Sequence, residues 1–434
     1  MQGSGSGLRK AVTMRYAVAL YMSSVLGSGI LVLPGLAAQK AGPASLIAWA
    51  LLSLASYPLA YTFASLSARR PESGGVYSFA RESFGPRIAT ATGWLFVVWY
   101  VTGAPAVTVI AASYLAYAFP LGRDAVYMIA GLIVLGTFII NYRGIVISSK
   151  FQLATIASIV ILLLATVIAS APLVRVENFQ PFFPNGLLPI GVAAALIFWS
   201  YLGYENVSNV AEEFENPKRD FHRSIVLSVV VISALYFSVA LATVGTRAYK
   251  AGGSVAPFAA ILSNALGVYG AAGTAILAVF IIFGTVNAYT TGMSRVIYRA
   301  AKDGGFPRAL DRIHSRTGVP HRSLALLSGL SLIALVMFYF LNVDLTTALL
   351  IPSGAAILVY VIGSASGIKL LDGGGVKTLF PWISLAVSLV MMPFVGVLLS
   401  VSLVVAAFGL VYNRHAASAT PKTSIIGEAQ VLRA

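Results

Sequence analysis

Two short runs interrupt segments of this 434-residue chain that are otherwise apolar, Gly27-Ser28-Gly29 and Trp199-Ser200-Tyr201-Leu202-Gly203. The first run sits inside a segment spanning roughly 12–38, the second inside one spanning roughly 187–211. Each segment is long enough to cross a bilayer, which takes about 20 apolar residues. Glycine weakens both helices near their middles. Backbone groups freed inside a membrane are tolerated only against a cavity or a ligand, and paired interrupted spans point to a binding site. A half-helix starting after Gly29 presents unpaired N–H groups and partial positive charge, which favour a carboxylate. The half ending near Val25 and Leu26 presents carbonyls, which favour an ammonium or a cation. The second break repeats this, with carbonyls near Phe198 and Trp199 and N–H groups beyond Gly203. An α-amino acid fits such a site, and so does any small zwitterion. The competing reading is a small-residue patch for close helix packing. Pro34 and the existence of a second break favour binding.

Of the 14 acids only Glu205 lies well inside a span. An ionisable residue there is a functional candidate by default, and burial makes its protonation near neutral pH possible. The alternative role is structural, a carboxylate holding N–H groups freed below the break. No lysine or arginine lies deep in a span, so the site does not suit a dianion. Trp199, beside the second break, is either a packed aromatic or a lid over a ligand. There is no cysteine, and His222, His314, His321 and His415 lie outside or at the ends of apolar segments. No metal site is therefore expected. No cofactor is expected, and no phosphate-binding Gly-x-x-x-x-Gly-Lys-Ser/Thr loop is present, so ATP does not drive the protein directly. A membrane enzyme needs clustered acids or histidines, and Glu205 stands alone. A channel needs a polar face through the bilayer, and the Ser and Thr residues form none.

These residues need spans to hold them. The chain is 58% hydrophobic and 10% charged, against about 25% charged in soluble domains, so its partner is the lipid bilayer. Twelve apolar segments are read, at 12–38, 43–67, 88–118, 125–141, 148–171, 187–211, 223–245, 269–294, 323–342, 345–368, 378–395 and 397–413. With this alternation, 24 of the 29 Lys and Arg fall on the side of the N-terminus. That places both termini in the cytoplasm of a multi-pass protein of the cell membrane. The net charge of +15 reflects the same bias and not nucleic-acid binding, since no soluble basic domain exists. Residues 1–11 read as a flexible cytoplasmic N-terminus whose Gly-Ser stretch stays out of fold reasoning. Broken first and sixth spans suggest a five-plus-five repeat, 12–171 and 187–370, followed by two final helices within 378–413 and a cytoplasmic tail, 414–434. The fold class expected is all-α integral membrane protein, twelve transmembrane helices.

Several motifs fall in order along the chain. They are Gly27-Ser28-Gly29-Ile30 with Pro34, Pro71-Glu72-Ser73-Gly74-Gly75-Val76-Tyr77, Phe84-Gly85-Pro86 and Gly93-Trp94. Then come Phe198-Trp199-Ser200-Tyr201-Leu202-Gly203-Tyr204-Glu205, Glu212-Glu213 and Asn216-Pro217-Lys218-Arg219-Asp220. Asn287, Ser294-Arg295 and Lys302-Asp303-Gly304-Gly305-Phe306-Pro307 complete the set. On these the chain resembles the amino acid–polyamine–organocation superfamily, most closely its amino-acid efflux branch, whose bacterial members export methionine and branched-chain amino acids.

The resemblance implies an inverted-repeat (LeuT-like) fold with discontinuous helices 1 and 6, working by alternating access. It implies a substrate carboxylate at the backbone of Ser28 and Gly29, and an amine at carbonyls near Val25, Phe198 and Trp199. The binding set is expected to comprise Ser24, Val25, Gly27, Ser28, Gly29 and Ile30 of the first break and Phe198, Trp199, Ser200 and Gly203 of the second. Ala104 and Val107 on the third span and Tyr289 on the eighth are expected to wall it. In the family an aromatic at the position of Trp199 closes over the substrate, and an acid at that of Glu205 is tied to pH response. One departure stands out. Importers of the family often carry a lysine in the fifth span, where this chain reads Ala154-Thr155-Ile156-Ala157-Ser158-Ile159-Val160. Coupling is then left to Glu205, to a sodium site, to antiport or to uncoupled movement. Apolar walls favour neutral, apolar amino acids moved by efflux or exchange. The alternatives are proton- or sodium-coupled uptake and a sensor that transports nothing. No oligomeric state is implied. Arg69, Arg70, Glu212, Glu213, Glu215 and Asp220 are read either as gating ion pairs or as a solvated loop surface, where such pairs are worth about 0–1 kcal/mol.

Overall fold

The computed structural model describes residues 25–69, 75–144, 149–205, 217–250, 252–371 and 374–419, with Val18 and Met22 before them. All regular structure among these residues is helical. In chain order the helices are α1 Gly29–Ala41, α2 Ser45–Arg69, α3 Gly75–Phe84, α4 Pro86–Ala118, α5 Arg123–Tyr142, α6 Ser149–Ser170 and α7 Leu188–Phe198. They continue with α8 Pro217–Gly245, α9 Pro257–Lys302, α10 His321–Phe340, α11 Leu345–Leu370, α12 Val376–Val395 and α13 Leu399–Ala419. Proline opens α4 and α9 in the first turn, where its missing N–H is no loss and its fixed φ suits a helix.

Among the described residues nine stretches are long and apolar enough to cross a bilayer, and a shorter apolar helix runs Leu188–Tyr201. Two of the nine are composite. Gly29–Arg69 contains α1 and α2, which meet at Gly42 (φ 61°), and Thr378–Tyr412 contains α12 and α13, which meet at Gly396 (φ 67°). With ψ near −145° these joints lie in a region essentially reserved for glycine. Two helical pieces were not expected. One is α3, ten residues that bury Val76, Tyr77, Phe79, Ala80 and Ser83 and expose Arg81 and Glu82, an amphipathic helix too short to span. The other is the start of α9, set off by a bend at Gly267 (φ 62°).

Helix α4 is the hub, packing on α3, α5, α9, α10, α11 and α13. Its buried surface includes Gly103, Ala104, Ala106, Ala111 and Ala112, and small residues let helix backbones approach closely inside a membrane. The two helices that adjoin the breaks, α1 and α7, pack on each other, and α8 backs onto α1 and α2. Many buried hydroxyls return to their own helix, as Thr62 does to the Pro58 carbonyl at 2.8 Å and Ser353 to Leu349 at 2.7 Å, so they leave no orphaned donor. Between helices, Asn141 Nδ2 donates to Asn287 Oδ1 at 2.7 Å and the Thr291 hydroxyl donates to Asn141 Oδ1 at 2.5 Å, joining α5 to α9.

Asp303, just after α9, pairs with Arg81 of α3 at 2.5 Å and with Arg299 at 3.7 Å. Burial pushes the nearby Tyr77 phenol up to about 12, with the Asp303 charge adding to it, so Tyr77 stays a neutral donor at physiological pH. The loop charges read either as gating ion pairs or as a solvated surface are a different set from this cluster. Arg69 is exposed, Arg70, Glu212, Glu213 and Glu215 lie outside the described residues, and of Asp220 only the backbone is described.

Asp344 caps α11, accepting from the Thr346 N–H at 3.0 Å, the Thr347 N–H at 3.2 Å and the Thr347 hydroxyl at 2.6 Å. Partial burial pushes its carboxyl up, but these bonds and nearby Lys40 outweigh that and hold it below the ordinary value. The cap therefore stabilises at pH above the ordinary carboxylate range and is lost as pH falls through the depressed value. Asp344→Ala is expected to cost about 0.5–2 kcal/mol, read as a lower unfolding temperature at pH 7 whose difference from the parent shrinks in acid.

Candidate functional site

Each break has a local cause. At the first, the Leu26 N–H still reaches the Met22 carbonyl at 2.7 Å, but the Gly27 N–H turns back to the Val25 carbonyl at 2.7 Å. Helix α1 restarts at Gly29 with Ser28 as its cap, and among the described residues no side chain caps that first turn. Its N–H groups thus face the gap. Pro34, one turn on, has no N–H to give the Ile30 carbonyl, and the Tyr114 hydroxyl from α4 donates to the adjacent Leu31 carbonyl at 2.5 Å.

At the second break α7 ends at Phe198, and Trp199–Tyr201 tighten into a 3-10 turn. Leu202 is extended, and Gly203 takes φ 119°, a conformation that favours glycine. The Gly203 N–H donates to Glu205 Oε2 at 2.9 Å, and the Tyr360 hydroxyl from α11 donates to the same oxygen at 2.5 Å. Glu205 is buried, so its carboxyl holds a backbone donor that the break has freed.

The two breaks face each other across one cavity. It offers about 50 Å³ to the centre of a water molecule. Val25, Gly27, Ser28, Gly29, Trp199, Ser200 and Leu202 come from the breaks. Trp99, Tyr100, Gly103, Ala104 and Val107 come from α4, and Thr285, Val286, Tyr289 and Met293 from α9. No lining side chain carries a formal charge. The Ser200 hydroxyl is buried and has no hydrogen-bond partner among the described residues. It lies 3.0 Å from where a Cβ on Gly29 would sit. An orphaned buried hydroxyl costs about 1–3 kcal/mol, so the site is built to accept a polar group.

Trp199 spans the cavity from α1 to α4. A Cβ on Gly29 would come within 2.7 Å of its Cδ1, and one on Gly103 within 2.8 Å of its Cη2. Trp99 meets its ring edge-on at 6.3 Å. Both glycines are needed for the indole to fit.

Of the residues expected from sequence, Val25, Gly27, Ser28, Gly29, Ala104, Val107, Trp199, Ser200 and Tyr289 line the cavity. Ile30 and Phe198 are buried beside it, and Gly203 and Glu205 lie behind the second break. Ser24 lies outside the described residues. Trp99, Tyr100, Gly103, Leu202, Thr285, Val286 and Met293 were not foreseen. All except Thr285 are apolar, aromatic or glycine residues of apolar helices or of the break itself, and only their neighbours in space single them out.

Over residues 13–427 the chain matches a protein family described as amino acid permease. It is 32% identical over 410 residues to the uncharacterised amino acid permease YecA of Bacillus subtilis, across 94% of this chain and 96% of that one. It is 29% identical over 377 residues to the L-methionine/branched-chain amino acid exporter YjeH of Escherichia coli, across 85% of this chain and 88% of that one. The branched-chain amino acid permease BcaP of Bacillus subtilis is 28% identical over 327 residues, across 70% of this chain and 69% of its own.

Proposed function

Because the chain belongs to the amino acid permease family, we propose that it is a secondary transporter of neutral, apolar amino acids, working by alternating access in efflux or exchange. The observation that carries this is the cavity shared by the two breaks, uncharged on its walls and edged by freed backbone groups. A substrate carboxylate meets the start of α1 with the Ser28 and Ser200 hydroxyls, and the ammonium meets carbonyls of Phe198 and Trp199, since that of Val25 already accepts from the Gly27 N–H and the Tyr236 hydroxyl. The side chain packs on Gly103, Ala104, Val107, Val286 and Met293. Fully burying a Val, Leu, Ile or Met side chain is worth about 1.5–3 kcal/mol, while a charged one would lie there unpaired. Trp199 covers the ligand.

Twelve spans in a five-plus-five arrangement go with this reading. Support comes from the glycine joints inside the two composite stretches and from the short Leu188–Tyr201 helix, whose unwound end makes it a broken span. With twelve spans, the Lys and Arg distribution puts both termini in the cytoplasm. The name of the Escherichia coli relative supports the apolar substrate class and the outward direction.

The test is thermal stabilisation of the purified protein by each of the twenty amino acids, at acid and neutral pH, with and without sodium, followed by flux in both directions. Leucine, isoleucine, valine or methionine is expected to raise the unfolding temperature, since a ligand at about 100 times its Kd adds about 2.7 kcal/mol. A shift with lysine or arginine alone, or with no amino acid, would withdraw the substrate class. Stabilisation without any flux would mark a sensor.

A further inference from the structure

Both breaks leave a carbonyl without its regular helical donor; Val25 keeps a bond from the Gly27 N–H at 2.7 Å, while Ser200 has no backbone donor among the described residues. In a continued helix the Val25 carbonyl would accept from Gly29, and in a continued 3-10 turn the Ser200 carbonyl would accept from Gly203. The Gly203 N–H has instead gone to Glu205. One hydroxyl stands at both vacated positions. Tyr236 Oη of α8 lies 2.9 Å from the Val25 carbonyl and 3.1 Å from the Ser200 carbonyl. Its ring is fully buried, edge-on to Trp49 of α2 at 5.7 Å and to Tyr201 at 5.3 Å. The ring is clamped, so the hydroxyl is aimed at both carbonyls.

We infer that Tyr236 is a latch between the two breaks, a positioning residue whose hydroxyl holds the first and second broken helices together while the cavity is closed. A phenol has one proton to donate, and it serves both carbonyls only while they lie side by side. If the breaks separate, the hydroxyl keeps only one of its two bonds, and the loss of a buried hydrogen bond is the cost that holds the cavity shut. The inference rests on the two breaks forming one site and not on what that site binds.

The chain contains no cysteine, so a single reporter thiol can be placed cleanly. Ala104→Cys puts it on the cavity wall, and its rate of reaction with a small thiol reagent, in membranes without amino acid, reads how often the cavity opens. Adding Tyr236→Phe removes the hydroxyl and keeps the ring, and labelling is expected to accelerate about tenfold, the effect of one lost buried hydrogen bond. Adding Thr62→Val instead removes a different inter-helix bond, the 3.0 Å contact with Ser384 of α12, and is expected to change the rate less than twofold. An unchanged or slower rate with Tyr236→Phe overturns the latch, as does equal acceleration by Thr62→Val. Tyr236→4-aminophenylalanine keeps the ring and offers one N–H to each carbonyl, so labelling should fall below the parent rate. Acceleration by that variant also overturns the latch, and it decides the matter if Tyr236→Phe does not reach the membrane. No amino acid enters the assay, so the result stands whether or not the substrate assignment does.

Discussion

Gly29→Leu is expected to abolish amino acid binding, a loss of at least about 100-fold or roughly 2.7 kcal/mol, with the protein still folded in the membrane. A Cβ at this position would sit 2.7 Å from Trp199 Cδ1 and 3.0 Å from the Ser200 hydroxyl. The remaining carbons of leucine then have to enter the gap between the breaks. They would screen the N–H groups at the start of α1 and push the indole off its seat. Folding is spared because Gly29 has an ordinary helical backbone, not one of the left-handed conformations found at Gly203 or Gly267. Gly29→Ala should fall between, since its methyl alone displaces Trp199. The measurement is ligand-induced stabilisation alongside gel filtration in detergent. A monodisperse Gly29→Leu protein that still binds at parental affinity removes the carboxylate from the start of α1.

Glu205 yields the second large effect, and two substitutions separate its roles. Glu205→Ala takes away the oxygen that receives both the Gly203 N–H and the Tyr360 hydroxyl. The Tyr360 hydroxyl is stranded at about 1–3 kcal/mol, and the Gly203 N–H is left with only its longer 3.2 Å contact to that hydroxyl, so stability drops and transport falls about tenfold. Glu205→Gln keeps an acceptor oxygen in place and removes only the titration. It is expected to fold like the parent, to transport at neutral pH within a few-fold of it, and to lose the pH dependence of the rate. If the pH profile of Glu205→Gln matches the parent, Glu205 serves the backbone alone.

The features readable in the sequence were those that conflict with their surroundings. Glycine pairs in an apolar run, a lone acid in a span and a tryptophan beside a break are each costly unless something uses them, and cost makes a residue visible. The wall is different. Val286 and Met293 are ordinary residues on a helix that is apolar on most sides, so no periodicity separates cavity from lipid. Gly103 matters only because Trp199 lies against it. Tyr236 is one of 20 tyrosines, and its role exists only where two distant carbonyls converge. Helix α3 is not legible in the sequence because ten amphipathic residues between two strongly apolar spans look like a connecting loop.

The division of labour in the cavity bears on how such a protein can diversify. The proposed binding mode gives the ends common to every amino acid largely to main-chain atoms, which no codon change can replace. In the proposed binding mode the variable part of the ligand meets side chains on α4 and α9 that single substitutions can resize or make polar. A lineage can therefore exchange one cargo for another by drift along two helix faces while its grip on the shared ends is inherited unchanged. Descendants of one ancestor are then expected to differ in diet sooner than in mechanism.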